Sequence, residues 1–319
     1  MGFAERNITR RQCLAMMAAT AGMQCVPTFG HAEEKQNTMH FAVSVETLAG
    51  ANVNDARAAY RVWVGEVSRQ LPTTTAEVVP EIFLPSDVLI RGVRQGTIEV
   101  FGITALEFSK IADLIDPSAL VVQDYLADGL EYVLLVHSSS SFHKVADLRG
   151  TQLLTHLHRD MVLALPWLGT LLAANNLGAA EHFFGGQSSL DSLNRVVLPV
   201  FFRSAGAACL ARRSWDTVVE LNPQLGRDLR PLAISPRLIP IVICFRRNSN
   251  EAARKAVVDS ILHVSSFAAG QQIIALYQSH GFVARPTSVM KGTLEMVRQY
   301  EELASPKASS SRGNSLKPD

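Results

Sequence analysis

The sequence predicts an α/β protein built from two strand-and-helix series, and three observations carry that prediction. Short apolar runs alternate with helical stripes, and consecutive strands separated by a helix pair in parallel because the return needs a crossover element. A second series begins at Thr151, after a loop rich in Ser, His and Lys. The 319 residues, 47% hydrophobic and 18% charged, can bury an ordinary core and suffice for two lobes.

At the N-terminus, Arg10 and Arg11 precede an Ala/Met-rich stretch and a small-residue site at Gly30 to Ala32. This is the layout of a twin-arginine export signal over residues 1–32, with cleavage expected after Ala32. Removing it takes away three Arg and one Glu, leaving 27 basic against 28 acidic residues.

After a short linker, His40 to Val45 read as the first strand. Asn54 or Asp55 caps a helix whose stripe is Ala58, Ala59, Val62, Trp63 and Val67, ended by Leu71 and Pro72. Ala76 to Phe83 is a second strand, placed near an edge by Pro80. Ser86 starts a helix through Val93 that Gly96 closes. Ile98 to Ile103 is a third strand, and Thr104 to Phe108 opens the next helix.

Leu130 to His137 is a strong strand, and Thr151 to Leu154 starts the second series. A helix is expected from about Asp160 to Asn175 with a kink at Pro166. Ser188 to Leu198 reads as a helix, Ala205 to Leu210 as a strand, and Ser214 to Asn222 as a helix. Leu232 to Ser235 and Ile239 to Phe245 are further strands. Helices follow from Glu251 to about Ala269, from Gln271 to His280 and from Met290 to Leu303. The apolar-poor tail, residues 304–319, is expected to be disordered.

Several function classes are excluded by this composition. Lys and Arg number 30 against 29 Asp and Glu, so nothing electrostatic favours nucleic acid or an anionic membrane surface. After the leader no apolar run reaches the roughly 18 residues of a membrane span, and no direct membrane insertion is expected once the signal is cleaved. Cys209 and Cys244 sit in apolar strand-like runs, as buried thiols or a disulfide, and no zinc-type spacing accompanies them. No GxGxxG, P-loop, HExxH or EF-hand loop occurs, and no GxSxG elbow surrounds Ser138 to Ser141. Neither catalysis nor a cofactor is expected.

Tyr132 to Gly150 (YVLLVHSSSSFHKVADLRG) resembles the phosphate, phosphite and phosphonate-binding family of transporter solute-binding proteins. The runs LALPWLGTLLAANNLGAAEHFFGG, DSLNRVVLPVFFRSAGAACL and ISPRLIPIVICFRRN follow the same scheme, so the resemblance spans roughly residues 40 to 290. It implies the type II periplasmic-binding-protein fold, with two α/β lobes, two hinge strands and a ligand cleft between them. One lobe is expected over residues 38–135 plus 243–300 and the other over 136–242. The function implied is capture of a small polar, oxyanionic (phosphonate-like) ligand for an ABC transporter permease in the periplasm. A ligand-sensing subunit docked on a membrane sensor kinase is the alternative.

Candidate ligand-binding residues come from strand ends. Ser44, Glu46 and Thr47 follow the first strand, while Thr104, Glu107 and Phe108 follow the third, so parallel topology gathers them at one sheet edge. Thr155, His156, His158 and Arg159 sit between a strand and a helix start, where the resembling family carries Ser/Thr and Gly. Tyr125 stands in a loop as a stacking candidate, and Arg203 with Ser204 precedes the second lobe's later strand. No third His lies at ligand spacing from His156 and His158, so no metal is expected.

Overall fold

The computed structural model describes residues 38–49, 52–70 and 77–304. The export signal expected over residues 1–32 lies outside the described residues, as does the expected tail, apart from Ala304, which ends the last helix.

In chain order the strands are β1 (Thr38–Ser44), β2 (Glu77–Leu84), β3 (Val100–Thr104), β4 (Leu120–Gln123), β5 (Tyr132–His137), β6 (Gln152–His156), β7 (Gly186–Leu190), β8 (Ala207–Ala211), β9 (Leu229–Ile234), β10 (Ile241–Phe245) and β11 (Phe282–Arg285). The helices are α1 (Val53–Gln70), α2 (Ser86–Gln95), α3 (Ala105–Ser109), α4 (Ala164–Ala174), α5 (Ala180–Phe183), α6 (Leu193–Phe201), α7 (Arg212–Leu221), α8 (Pro223–Asp228), α9 (Glu251–Leu262), α10 (Ala268–Tyr277) and α11 (Lys291–Ala304).

The strands sort into two mixed sheets, of order β11-β4-β10-β3-β1-β2 and β7-β6-β8-β5-β9. β3, β8 and β10 lie inside their sheets and are buried at every position, hence the unbroken apolar runs of β8 and β10 and the run of β3 that only its last residue, Thr104, interrupts. β2 is an edge strand, which accommodates Pro80 and its missing N–H. Within each sheet the parallel strands β1, β2, β3 and β6, β7, β8 end at one edge.

Two segments carry the chain from one sheet to the other and back. Residues 124–131 lead from β4 to β5, and residues 235–240 lead from β9 to β10. They pair as a single antiparallel bridge, Leu130 N–H to Leu238 O at 2.8 Å and Leu238 N–H to Leu130 O at 2.9 Å. Gly129 enters this bridge at φ +77°, where a Cβ would stand 2.9 Å from the Leu238 nitrogen, so no other residue fits without strain. The largest apolar cluster draws on both sheets, with Phe101, Ile103 and Phe108 from one side and Tyr132, Leu134 and Trp167 from the other. Across it lies α11, packed against α3 and α4, with the Tyr300 ring against Gly169.

Four local expectations are corrected. β5, expected mostly in the first lobe, is paired with β8 and β9 in the second sheet, because the passage between sheets is the 124–131 turn. Gly186 to Leu190, partly read as helix, is an edge strand parallel to β6, and its helix begins only at Leu193. The helix expected from Asp160 is a short 3₁₀ turn followed by α4, which puts Pro166 in the first turn, where its missing N–H costs nothing. Leu120 to Gln123, read as loop, is a fully buried strand. Cys209 and Cys244 are separate buried thiols in different sheets, and burial pushes both up from the ordinary thiol range.

Candidate functional site

At the edge where β1 and β3 end, the side chains form a closed polar knot. The Ser44 hydroxyl donates to Glu107 Oε1 at 2.5 Å, and the Thr104 N–H and hydroxyl both donate to Oε2 at 2.9 Å. Thr104 Oγ1 in turn accepts the Glu107 N–H, completing the capping box that starts α3. Thr47 donates to the Ser44 carbonyl, and Phe108 joins the apolar core. Glu46 points away. It is exposed beside a cavity of about 680 Å³ that Ser86, Asp87, Arg91, Arg94 and Lys110 also line.

Opposite this edge, the chain leaving β6 drives a cation into the first half. Arg159 is 4% exposed, donates through Nη2 to Gln123 Oε1 at 2.8 Å, and places its guanidinium carbon 3.9 Å from the centroid of the Tyr277 ring. Its Nε and Nη1 are buried and have no hydrogen-bond partner among the described residues. The Tyr277 hydroxyl is bonded to that of Tyr60, and burial raises both phenols against the opposing pull of Arg159. Gln123 and Tyr277 end β4 and α10, so the contact joins the two halves.

The neighbouring residue completes a second contact across the seam. The Tyr125 hydroxyl donates to Asp160 Oδ1 at 2.9 Å, and the guanidinium of Arg213 sits 3.8 Å from the Tyr125 ring centroid. Asp160 Oδ2 is 3.9 Å from Arg213 Nη1 and 3.7 Å from His158 Nδ1. The His158 ring stacks on that of His156, with centroids 5.3 Å apart and planes at 7°. Burial is the main cause that pulls both imidazoles below the ordinary histidine range, with Asp160 opposing it, so both are neutral near pH 7. Thr155 is buried and bonds the Ser189 hydroxyl of the adjacent strand at 2.7 Å.

A polar groove of about 740 Å³ opens beside this seam. It is lined by His156, His158, Asp160, Asp191, Arg213, Ser214 and Thr217, with Gln278 from the first half. Its position at the C-terminal ends of β6, β7 and β8 is where α/β sheets gather ligands. Arg213 was reachable by the strand-end argument, because it follows β8. Gln123, Tyr60 and Tyr277 gave no such signal.

Arg203 and Ser204 are not brought to this seam. They precede β8, so they lie at its N-terminal end, and they line a separate cavity of about 410 Å³ with His137, Ser140, Ser141 and Thr151. Arg203 donates there to Ser139 Oγ at 2.6 Å. Among the described residues no three His, Cys, Asp or Glu side chains are grouped to hold a metal. No described helix is long and apolar enough to cross a membrane.

Residues 49–287 match the family described as "ABC transporter, phosphonate, periplasmic substrate-binding protein". No curated protein matches the chain. Among solved structures, the chloride-bound protein XAC2383 of Xanthomonas citri is similar at 14% identity and a TM-score of 0.58, covering 84% of this chain and 99% of its own. PhnD1 from Prochlorococcus marinus, in complex with methylphosphonate, is 14% identical with a TM-score of 0.55, covering 83% and 99%. A binding protein component of an ABC phosphonate transporter (PA3383) from Pseudomonas aeruginosa is 14% identical with a TM-score of 0.52, covering 84% and 88%.

Proposed function

Because the chain belongs to the family of periplasmic substrate-binding proteins of phosphonate ABC transporters, we propose that it captures a small polar ligand between two lobes and delivers it to a transporter permease. Members of this family are exported to the periplasm and bind and release solute. We assign export here to the twin-arginine leader over residues 1–32. The first lobe would comprise the six-stranded sheet and its helices, and the second the five-stranded sheet, hinged at the Leu130–Leu238 bridge.

The observation that supports this reading most directly is Arg159. A guanidinium carried by one half and buried in the other, with two nitrogens unpartnered, suits a group that shares a ligand when the lobes close. The polar groove of His156, His158 and Arg213, which Gln278 lines from the first half, lies beside this contact and is the open space a ligand would enter. Differential affinity for the closed arrangement then does the work, and no bond is made or broken.

The test is native mass spectrometry of protein purified from its own periplasm, followed by thermal melts with the co-purifying solute. The double variant His158→Ala, Arg159→Ala is expected to keep its fold and lose the ligand-induced rise in Tm. An unchanged rise would remove these residues from the site.

A further inference from the structure

We propose that the cavity at the N-terminal end of β8 is a second ligand site, separate from the seam, for a small oxyanion that also carries hydroxyl groups, such as a polyol phosphate or a hydroxy acid. This goes beyond the solute-binding reading and does not depend on it.

The topology gathers here residues that the seam does not use. Thr151, Arg203 and Ser204 precede the parallel strands β6 and β8, while His137, Ser140 and Ser141 come from the end of antiparallel β5 and its loop, and together they line about 410 Å³. Small-molecule sites span about 300–1,000 Å³. No Asp or Glu lines this space, so its one permanent charge is the guanidinium. Arg203 is exposed, pairs with no carboxylate among the described residues, and makes its one hydrogen bond among them to Ser139 Oγ at 2.6 Å. Its backbone is held at φ +60°, a left-handed conformation that is strained for any residue with a long side chain.

The hydrogen bonds sort the lining into donors and acceptors. The Ser139 N–H donates to His137 Nδ1 at 3.2 Å, so the imidazole proton sits on Nε2, and the Ser139 hydroxyl, 2.9 Å from Nδ1, gives its own proton to the same nitrogen. Ser139 Oγ is then left with lone pairs for Arg203, which tethers the guanidinium beside the cavity. The hydroxyls of Ser140, Thr151 and Ser204 donate to the carbonyls of His137, Leu148 and Pro199 at 2.7, 2.7 and 3.1 Å, so what these three oxygens have left to offer is lone pairs. A bare anion would answer the cation and meet three oxygens that can only accept. An uncharged polyol would serve those oxygens and leave the cation unanswered. An oxyanion with hydroxyl groups uses both, its charged oxygens taking the remaining N–H groups of Arg203 and its hydroxyls donating to the Ser and Thr oxygens.

The experiment titrates the full mature chain with glycerol phosphate, glycerate, inorganic phosphate and glycerol by calorimetry, in wild type, Arg203→Asn, Ser141→Asp and the seam variant Arg213→Gln. Asn tolerates the left-handed backbone and Ser141 is exposed, so both cavity variants are expected to keep the fold, which circular dichroism checks. Wild type is expected to bind glycerol phosphate or glycerate at least tenfold more tightly than inorganic phosphate or glycerol. Arg203→Asn, which removes the cation, and Ser141→Asp, which sets a carboxylate in the lining, are each expected to weaken that binding at least tenfold, and Arg213→Gln to leave it within twofold. Failure of both hydroxylated anions to bind overturns the site, as does binding unchanged in the folded cavity variants. Binding lost in Arg213→Gln and kept in Arg203→Asn assigns the anion to the seam and overturns it equally. Inorganic phosphate or glycerol bound as tightly as the hydroxylated anions overturns the class.

Discussion

The guanidinium of Arg159 sits 3.9 Å from the centroid of the Tyr277 ring, although the two residues belong to different sheets' halves of the molecule. A desolvated cation–π pair of this kind contributes about 2 kcal/mol. The bond to Gln123, charged on one side, contributes about 1.5–3 kcal/mol. Against them stand two buried nitrogens without partners, each costing about 1–3 kcal/mol. The terms nearly cancel.

Arg159→Met, similar in length and apolar, is therefore expected to change the stability of the ligand-free protein by no more than about 1 kcal/mol. Chemical denaturation measures this. A large loss would mean that the cation serves the fold rather than a ligand.

Ser44→Ala removes one of three donors from a buried carboxylate. A hydrogen bond to a charged group is worth about 1.5–3 kcal/mol, and the lost stability is expected in that range. Denaturant midpoints of Ser44→Ala and Ser44→Thr distinguish lost bonding from altered packing, because the Thr hydroxyl restores the donor.

The stacked imidazoles predict a pH dependence whose sign is fixed by their depressed values. The unfolded chain takes up protons on His156 and His158 at a higher pH than the folded one does, so stability is full above about pH 6.5 and falls as the pH drops below it. Melts between pH 8 and pH 5 should show a decline that His156→Gln together with His158→Gln makes shallower. An unchanged slope would show that these rings do not titrate with folding.

Gly129→Ala tests the passage between the sheets. A Cβ there meets the Leu238 backbone at 2.9 Å in a left-handed conformation, and a cost of about 1–3 kcal/mol is expected. Small-angle scattering should also show a changed radius of gyration if the bridge sets the angle between the halves.

What the chain reveals before its structure is known divides along physical lines. β8 and β10 are buried on both faces, so their unbroken apolar runs mark them as strands. β7 is a half-exposed edge of Gly, Gln and Ser, whose polarity imitates the start of a helix. Ser44, Thr104 and Glu107 could be grouped because parallel strands end together. That rule does not reach Arg203 and Ser204, which stand before β8 and line a separate cavity at its other end. The pairing of Arg159 with Gln123 and Tyr277 depends on how one sheet is set against the other, and no local pattern encodes such a placement.

The reciprocal hydrogen bonds of Leu130 and Leu238 tie the outward and homeward crossings into one ribbon. On the proposed two-lobe reading, crossings paired in this way would bend together, and the halves would swing about a common axis instead of sliding past one another. Withdrawal of Arg159 from the Tyr277 ring and parting of Tyr125 from Asp160 would then happen in a single stroke. A solute reaching the seam would meet a gate that is either shut at both points or open at both.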